Sequence, residues 1–382
     1  MKFSLIYECQ MVDTSRQSEQ EHFHAMIEQC LLAEKLGFDT IWSVEHHCLE
    51  QYAHLSAPET FLAFVAGATK RINVGHGVVC LPYRMNHPVK VAERVATLDI
   101  LSKGRLHFGV GKGGTPQELG AFQTTHVELT QQVDESMYMI PNMWKEKVFS
   151  YKSDTIEIPP RPIMPKPYQD PHPPMYMACT RDESLLTAGE RGLGALVLAF
   201  DGPPEVERKN VMYREAYAKR DPAKQVGYRP INHLAALCPA IVLDDRDKAR
   251  RIGVRGQRFF AESIRYWYAG GPPPQVDDLS AEDQIALFKK DEEALVAKLG
   301  ESKIPVTSVQ TGNYHFDQDA YGTVEQAISY VDRLFKAGAD EILFLVQMGT
   351  VPHEASLETI RNIGEHLIPH FKGKGAARKA AE

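Results

Sequence analysis

The stretch Cys30-Leu31-Leu32-Ala33-Glu34-Lys35-Leu36-Gly37-Phe38-Asp39-Thr40-Ile41-Trp42-Ser43-Val44-Glu45-His46-His47 carries the pattern that decides the fold. Its first part ends a helical run from His22, in which Met26, Ile27, Cys30, Ala33 and Leu36 share one face. Gly37 supplies the stop, because a left-handed residue costs glycine little. Thr40 to Ser43 then reads as a short buried strand, and the polar Glu45-His46-His47 comes directly after it. The same switch recurs on both sides. Phe3 to Tyr7 is a strand before it; after it come a helix Pro58 to Thr69, a strand Ile72 to Gly75, a helix Pro88 to Leu101 and a strand Arg105 to Gly109. Beyond an irregular stretch the rhythm returns with a strand Met175 to Ala178, a helix to Arg191 and a strand Ala195 to Leu198. A strand within His233 to Leu243, a helix Val324 to Ala337, a strand Ile342 to Leu345 and a helix Ser356 to Phe371 complete the series.

Alternation of this kind places helices on the outside of a parallel sheet. About eight repeats without a change of composition favour a closed (β/α)8 TIM barrel over an open doubly wound sheet. The expected fold is therefore α/β, a single barrel domain over residues 1–382 with loop insertions. The surplus over the usual barrel length of about 250 residues falls in two insertions, about 115–174 and 266–316. In the first, Ile158 to Pro174 holds eight prolines; the second contains Gly270-Gly271-Pro272-Pro273-Pro274. Both read as lids or loop insertions, and the basic, Ala-rich tail 372–382 as a frayed end.

Composition narrows the function. Of 382 residues 43% are hydrophobic and 24% charged, which excludes a disordered, collagenous or coiled-coil chain. Lys+Arg 43 against Asp+Glu 50 leaves a net charge of −7, which argues against nucleic acid as a partner. Six cysteines are scattered without a C-x-x-C pair, so neither zinc nor a disulfide framework is expected. No apolar run nears the roughly 18 residues of a membrane span, and Glu8 interrupts any signal-peptide core. A cytoplasmic protein with no membrane partner is the default expectation.

Barrel chemistry belongs at the C-terminal ends of the strands, and that criterion sorts the motifs. Glu45-His46-His47 lies there, with imidazoles suited to proton transfer; the alternative is a polar loop. Because side chains alternate, His46 is the candidate catalytic residue over His47. His22-Phe23-His24 resembles a metal-binding H-x-H, but within a helix the two side chains point apart, so no metal site is assigned. Gly109-Val110-Gly111-Lys112-Gly113-Gly114 formally matches a dinucleotide-binding turn, yet it comes after the fourth strand and opens into no clear helix. Its glycines still allow close approach of a ligand, and Lys112 is either a phosphate contact or a solvated cation. Cys179-Thr180-Arg181-Asp182-Glu183-Ser184 opens a helix after a strand, which suits an anion; Thr180 and Glu183 also have capping-box spacing. Met137-Tyr138-Met139, Phe259-Phe260 and Tyr266-Trp267-Tyr268 read as core or subunit interface.

Taken in order, these segments resemble the bacterial luciferase-like flavin monooxygenases. The likeness runs through Leu36 to Trp42, Glu45-His46-His47, Thr69 to Val78, Asn86 to Arg94, Thr97 to Leu106, Pro174 to Cys179 and Ala337 to Asp340. It implies a barrel that binds FMN non-covalently at the strands' C-terminal ends. It also implies reduced flavin delivered by a separate flavin reductase, and O2 consumed through a flavin C4a-hydroperoxide to oxygenate a small organic substrate. The family's catalytic histidine maps onto His46. Its isoalloxazine contacts map onto Gly77 and Val78, where the family often has a cis peptide, and further cofactor-binding positions onto Ala178 and Cys179. Its phosphate contacts map onto Lys112, Thr180, Arg181 and Ser184. Gly111 replaces luciferase's reactive cysteine, so light emission is not implied. A homodimer is expected, as is common in the family. FAD or F420 in place of FMN, an F420-dependent hydride-transferring oxidoreductase, and a non-catalytic flavin-binding barrel stay open as alternatives.

Overall fold

The computed structural model of the chain describes residues 1–300 and 320–372. Eight parallel strands form the barrel: β1 (Lys2–Tyr7), β2 (Thr40–Ser43), β3 (Asn73–His76), β4 (Leu106–Gly111), β5 (Met175–Cys179), β6 (Gly194–Leu198), β7 (Leu234–Pro239) and β8 (Glu341–Leu345). A short extension of β3, Val79–Cys80, continues along β4. Neighbours pair in chain order, and β1 pairs with β8 at Lys2↔Glu341, which closes the ring. The barrel expected from the sequence is the barrel observed.

Helices α1 (Arg16–Leu36), α2 (Pro58–Ala68) and α3 (Pro88–Leu101) come after the first three strands. The first starts six residues before the expected His22, because Ser15 caps it: its Oγ accepts from the Ser18 N–H at 3.3 Å. Gly37 ends it as expected, at φ 84°. After β4 come α4 (Pro116–Ala121) and α5 (His126–Lys145). The latter occupies sequence that reads as irregular, and it packs on α3, where Trp144 Nε1 donates to the Ala92 carbonyl at 2.9 Å. Met137 and Met139 are core residues, whereas Tyr138 is exposed.

The proline-rich half of the first insertion lies at the barrel's N-terminal end. Gln169 Nε2 donates to Asp99 Oδ1 and to the carbonyl of Leu106, the first residue of β4, each at 2.8 Å. It therefore lies under the barrel, away from His46, and does not cover the strands' C-terminal ends as a lid would. Helices α6 (Asp182–Glu190) and α7 (Pro203–Ala218) come after β5 and β6. The long α8 (Arg246–Ala269) and α9 (Ala281–Gly300) come after β7; α10 (Val324–Lys336) and α11 (His353–Asn362) flank β8. Residues 301–316 of the second insertion and 373–382 of the tail lie outside the described residues. No helix among those described is long and apolar enough to cross a membrane.

Alternation sends Ser4 and Ile6 of β1, Trp42 of β2, His107 of β4 and Tyr176 of β5 into the barrel. A buried carboxylate organises this lower layer. Glu341 accepts from Ser4 Oγ at 2.5 Å, from Trp42 Nε1 at 3.0 Å and from His233 Nε2 at 2.9 Å. Burial alone would raise its pKa; the His233 bond and charge, the Ser4 hydroxyl and the Lys2 charge outweigh that and hold it at about 2. His107 stacks on Tyr176 with ring centroids 5.6 Å apart, above the same carboxylate.

Candidate active site

The upper end of the barrel continues the inward face of each strand. On β2 this brings His46 over the mouth, two turns of the alternation after Trp42. Its Nδ1 lies 3.1 Å from Glu118 Oε1. Glu118 is fully buried at the N3 position of α4, where its other oxygen accepts from Thr115 Oγ1 at 2.7 Å and from the Thr115 N–H at 3.1 Å. Burial would raise this carboxyl, but the His46 bond and charge and the Thr115 bonds bring it down to about 2. An ionised carboxylate only accepts, so Nδ1 carries the proton and donates, leaving Nε2 as the working nitrogen. The His46 pKa moves up. Its own burial opposes the rise, and the Glu118 bond with the charges of Glu118, Glu8 and Glu45 exceeds it.

His47 is tied down differently. Its Nε2 sits 2.9 Å from Glu45 Oε1 and its backbone N–H donates to Glu118 at 3.0 Å. Glu45 also accepts from the Cys80 N–H at 2.8 Å and from Asn86 Nδ2 at 2.7 Å. Of the two histidines, His47 is thus a bracing residue, and His46 faces the mouth. The H-x-H pair His22 and His24 lies within α1, and no group of His, Cys, Asp and Glu among the described residues has metal-binding geometry.

Three residues near His46 carry no sequence motif. Glu8, one step beyond β1, is buried at 4% exposure, and its Oε2 has no hydrogen-bond partner. Burial raises its pKa, against the His46 charge and a bond from Tyr52. The Tyr52 ring lies 5.2 Å from that of His46. Burial raises the phenol of Tyr268, near the end of α8, well above the usual range, and the charges of Glu118 and Glu8 add to that. Phe260 of α8 packs on Tyr52 at 5.9 Å, so α8 roofs this side of the mouth.

Another part of these strand ends is apolar. A Cβ on Gly111 would come 2.4 Å from Val78 Cγ2 and 3.9 Å from the Ala178 Cβ, so these three positions meet in one wall. Gly77 lies against Trp42 and Ile6. The expected cis bond at Gly77–Val78 is not present: the cis peptides of the described residues are Met164–Pro165 and Asp170–Pro171. Lys112 and the segment Cys179 to Arg181 lie at the ends of adjacent strands, β4 and β5. The Lys112 amine is exposed and donates to Thr130 Oγ1 at 3.0 Å. Thr180 and Arg181 are exposed, and Cys179 is buried. The cap of α6 falls one residue later than the Thr180–Glu183 spacing predicts. Arg181 is the N-cap residue, and Ser184 Oγ both accepts from its N–H at 3.3 Å and donates to its carbonyl at 2.7 Å. The reason is that β5 runs through Cys179 and leaves Thr180 as the bend.

These residues fit a planar ring with an anionic tail. Gly114 has open space where a Cβ would stand, whereas a Cβ on Gly111 would meet Val78 and one on Gly113 would meet Cys80 and Met85. Two unburied cations and two hydroxyls border the same strand ends.

The model of the family described as luciferase-like monooxygenase matches residues 2–340. The oxygenase component of the flavin-dependent trigonelline monooxygenase of Acinetobacter baylyi is 26% identical, over 100% of this chain and 98% of its own. Limonene 1,2-monooxygenase of Rhodococcus erythropolis is 25% identical over 89% of this chain and 79% of its own. Among solved structures, the monooxygenase RslO1 of Streptomyces bottropensis superposes with a TM-score of 0.72 at 25% identity, covering 97% of this chain and 100% of its own. An F420-dependent secondary alcohol dehydrogenase shares the fold at a TM-score of 0.65 and 18% identity, covering 96% of this chain and 97% of its own. The chain belongs to the luciferase-like monooxygenase family, and it is on that footing an oxidoreductase enzyme.

Proposed function

We propose that the chain is the oxygenase component of a two-component flavin-dependent monooxygenase, using reduced FMN from a separate reductase and O2 to oxygenate a small organic substrate. The observation that carries this reading is the buried His46–Glu118 pair at the strands' C-terminal ends, where Gly111, Val78 and Ala178 also meet in one wall. Bound reduced flavin supplies the oxygen-activating chemistry. The chain does the rest. Gly77, Val78, Ala178 and Cys179 would receive the ring, and Lys112, Thr180, Arg181 and Ser184 the phosphate. His46 holds or moves a proton at Nε2, with Glu118 fixing the ring and keeping the opposite nitrogen protonated. The roof from α8 and the wall at Val78 exclude water, which would otherwise divert activated oxygen to peroxide. The relative named as an oxygenase component supports a separate reductase. We further place the chain in the cytoplasm as a homodimer; its six cysteines are all free.

Anaerobic titration with reduced FMN, then stopped-flow mixing with oxygenated buffer, tests the reading. Tight binding and a transient flavin–oxygen adduct are expected. Binding without that transient would favour hydride transfer with F420, and no binding of either cofactor would reduce the chain to a barrel without this chemistry. A second expectation concerns the phosphate. Changing Lys112 and Arg181 together to Met should weaken FMN about tenfold or more, with riboflavin binding unchanged. Equal losses for both flavins would show that these cations do not meet the phosphate.

A further inference from the structure

The two histidines of the mouth each have a carboxylate of their own: His46 has Glu118, and His47 has Glu45. The third carboxylate, Glu8, has none. It lies one residue past the end of β1, in step with the inward Ser4 and Ile6, and next to His46 and Tyr52. It is nine-tenths buried or more, its Oε2 has no partner, and the charge acting on it is that of His46, already committed to Glu118. Aromatic rings stand beside it. Tyr52 bonds it, Phe260 packs on Tyr52, Phe200 packs on Phe260 at 5.2 Å, and Tyr268 lies within reach of its charge.

A buried carboxylate whose one nearby cation is bonded to another carboxylate is costly to keep ionised and is relieved by a further cation. Aromatic rings around it favour a diffuse organic cation over a hydrated metal ion or a primary ammonium, because ring quadrupoles attract charge while the rings exclude water. We infer that the site beside His46 takes a small organic cation, an aromatic or quaternary nitrogen compound, with Glu8 as its counter-ion. This rests on the oxygenase reading for what happens to the bound compound, but the recognition stands on Glu8 and its aromatic neighbours alone. Glu8 is here a specificity-determining residue; the bond chemistry stays with the reading above.

The test separates the two. The full chain, with and without FMN, is titrated with N-methylpyridinium and with toluene, its neutral isostere, by ligand-observed NMR. The cation should bind about tenfold or more tighter than toluene. Glu8→Gln, which keeps shape and removes charge, should bring the two within about twofold while leaving toluene affinity unchanged. Equal binding of both probes to the wild-type chain overturns the inference whether or not any variant folds. So does a cation preference that survives Glu8→Gln, or no detectable cation binding at all. Failure of the chain to bind any flavin would instead sink the oxygenase reading, and it leaves the cation-to-toluene ratio measurable.

Discussion

Replacing His46 by alanine is expected to leave flavin affinity within about twofold and to cut product formation by about 100-fold or more, with O2 still consumed and released as peroxide. The ring lies at the mouth without being part of the apolar wall, so its loss should not disturb cofactor binding. What disappears is the nitrogen held ready by Glu118. The companion variant Glu118→Gln tests the same geometry from behind. It removes the charge that lifts the His46 pKa, so the pH profile of product formation should move to lower pH. Stability carries the same sign. A histidine whose pKa is raised by folding contributes stability that is complete below its unfolded pKa and lost as pH rises through the folded value. Measured coupling of O2 to product decides the matter. Unchanged product yield in His46→Ala would remove His46 from the chemistry.

At the other end of the barrel, Glu341→Ala should cost about 3–5 kcal/mol in denaturant unfolding, because it leaves three donors without their acceptor at once. Ser4, Trp42 and His233 all give their hydrogen bonds to this one side chain, and it is fully buried with the first two of them. The acid behaviour is also specified. The carboxyl titrates at about 2 in the folded chain against an ordinary value of 4.5, so its contribution is complete above the unfolded value and is lost as pH falls toward 2. Glu341→Gln should therefore have a flatter acid-unfolding curve than the parent in that window. Glu118, also held at about 2, contributes in the same direction and keeps the variant's curve from becoming flat. An alanine variant as stable as the parent would mean that water takes over the three donors.

Much of this chain is local information. The strands and α3 fall where apolar periodicity and glycine or proline stops put them, since both act within a few residues. His46 is legible for the same reason: it sits just past the end of a strand, and barrel strands deliver the residues at their C-terminal ends to the mouth. Helices α5 and α8 show what hides a pattern. In α8, Arg258 and Glu262 lie on the buried face and neutralise each other at 2.6 Å, so charges stand where an apolar stripe would be sought. In α5, Pro141 falls inside the helix and its buried stripe is rich in methionine.

The partners of the site carry no such signal. Glu118 reaches His46 across 72 positions of sequence, and within its own segment it looks like an ordinary capping residue, which it also is. Glu8 reads in sequence as an acid that merely ends an apolar run; only the closed barrel buries it beside another strand's imidazole. Tyr268 reads as part of an aromatic cluster, and the course of α8 brings it over the mouth. Ser4 and Glu341 lie 337 positions apart and meet because β1 and β8 close the ring. The barrel and the strand end that carries His46 are written in the order of residues along the chain, since hydrophobic period and turn chemistry are properties of neighbours. Which carboxylates surround His46, and which of them has no imidazole of its own, emerges on folding, since burial and electrostatic pairing depend on residues that the closure of the barrel brings together.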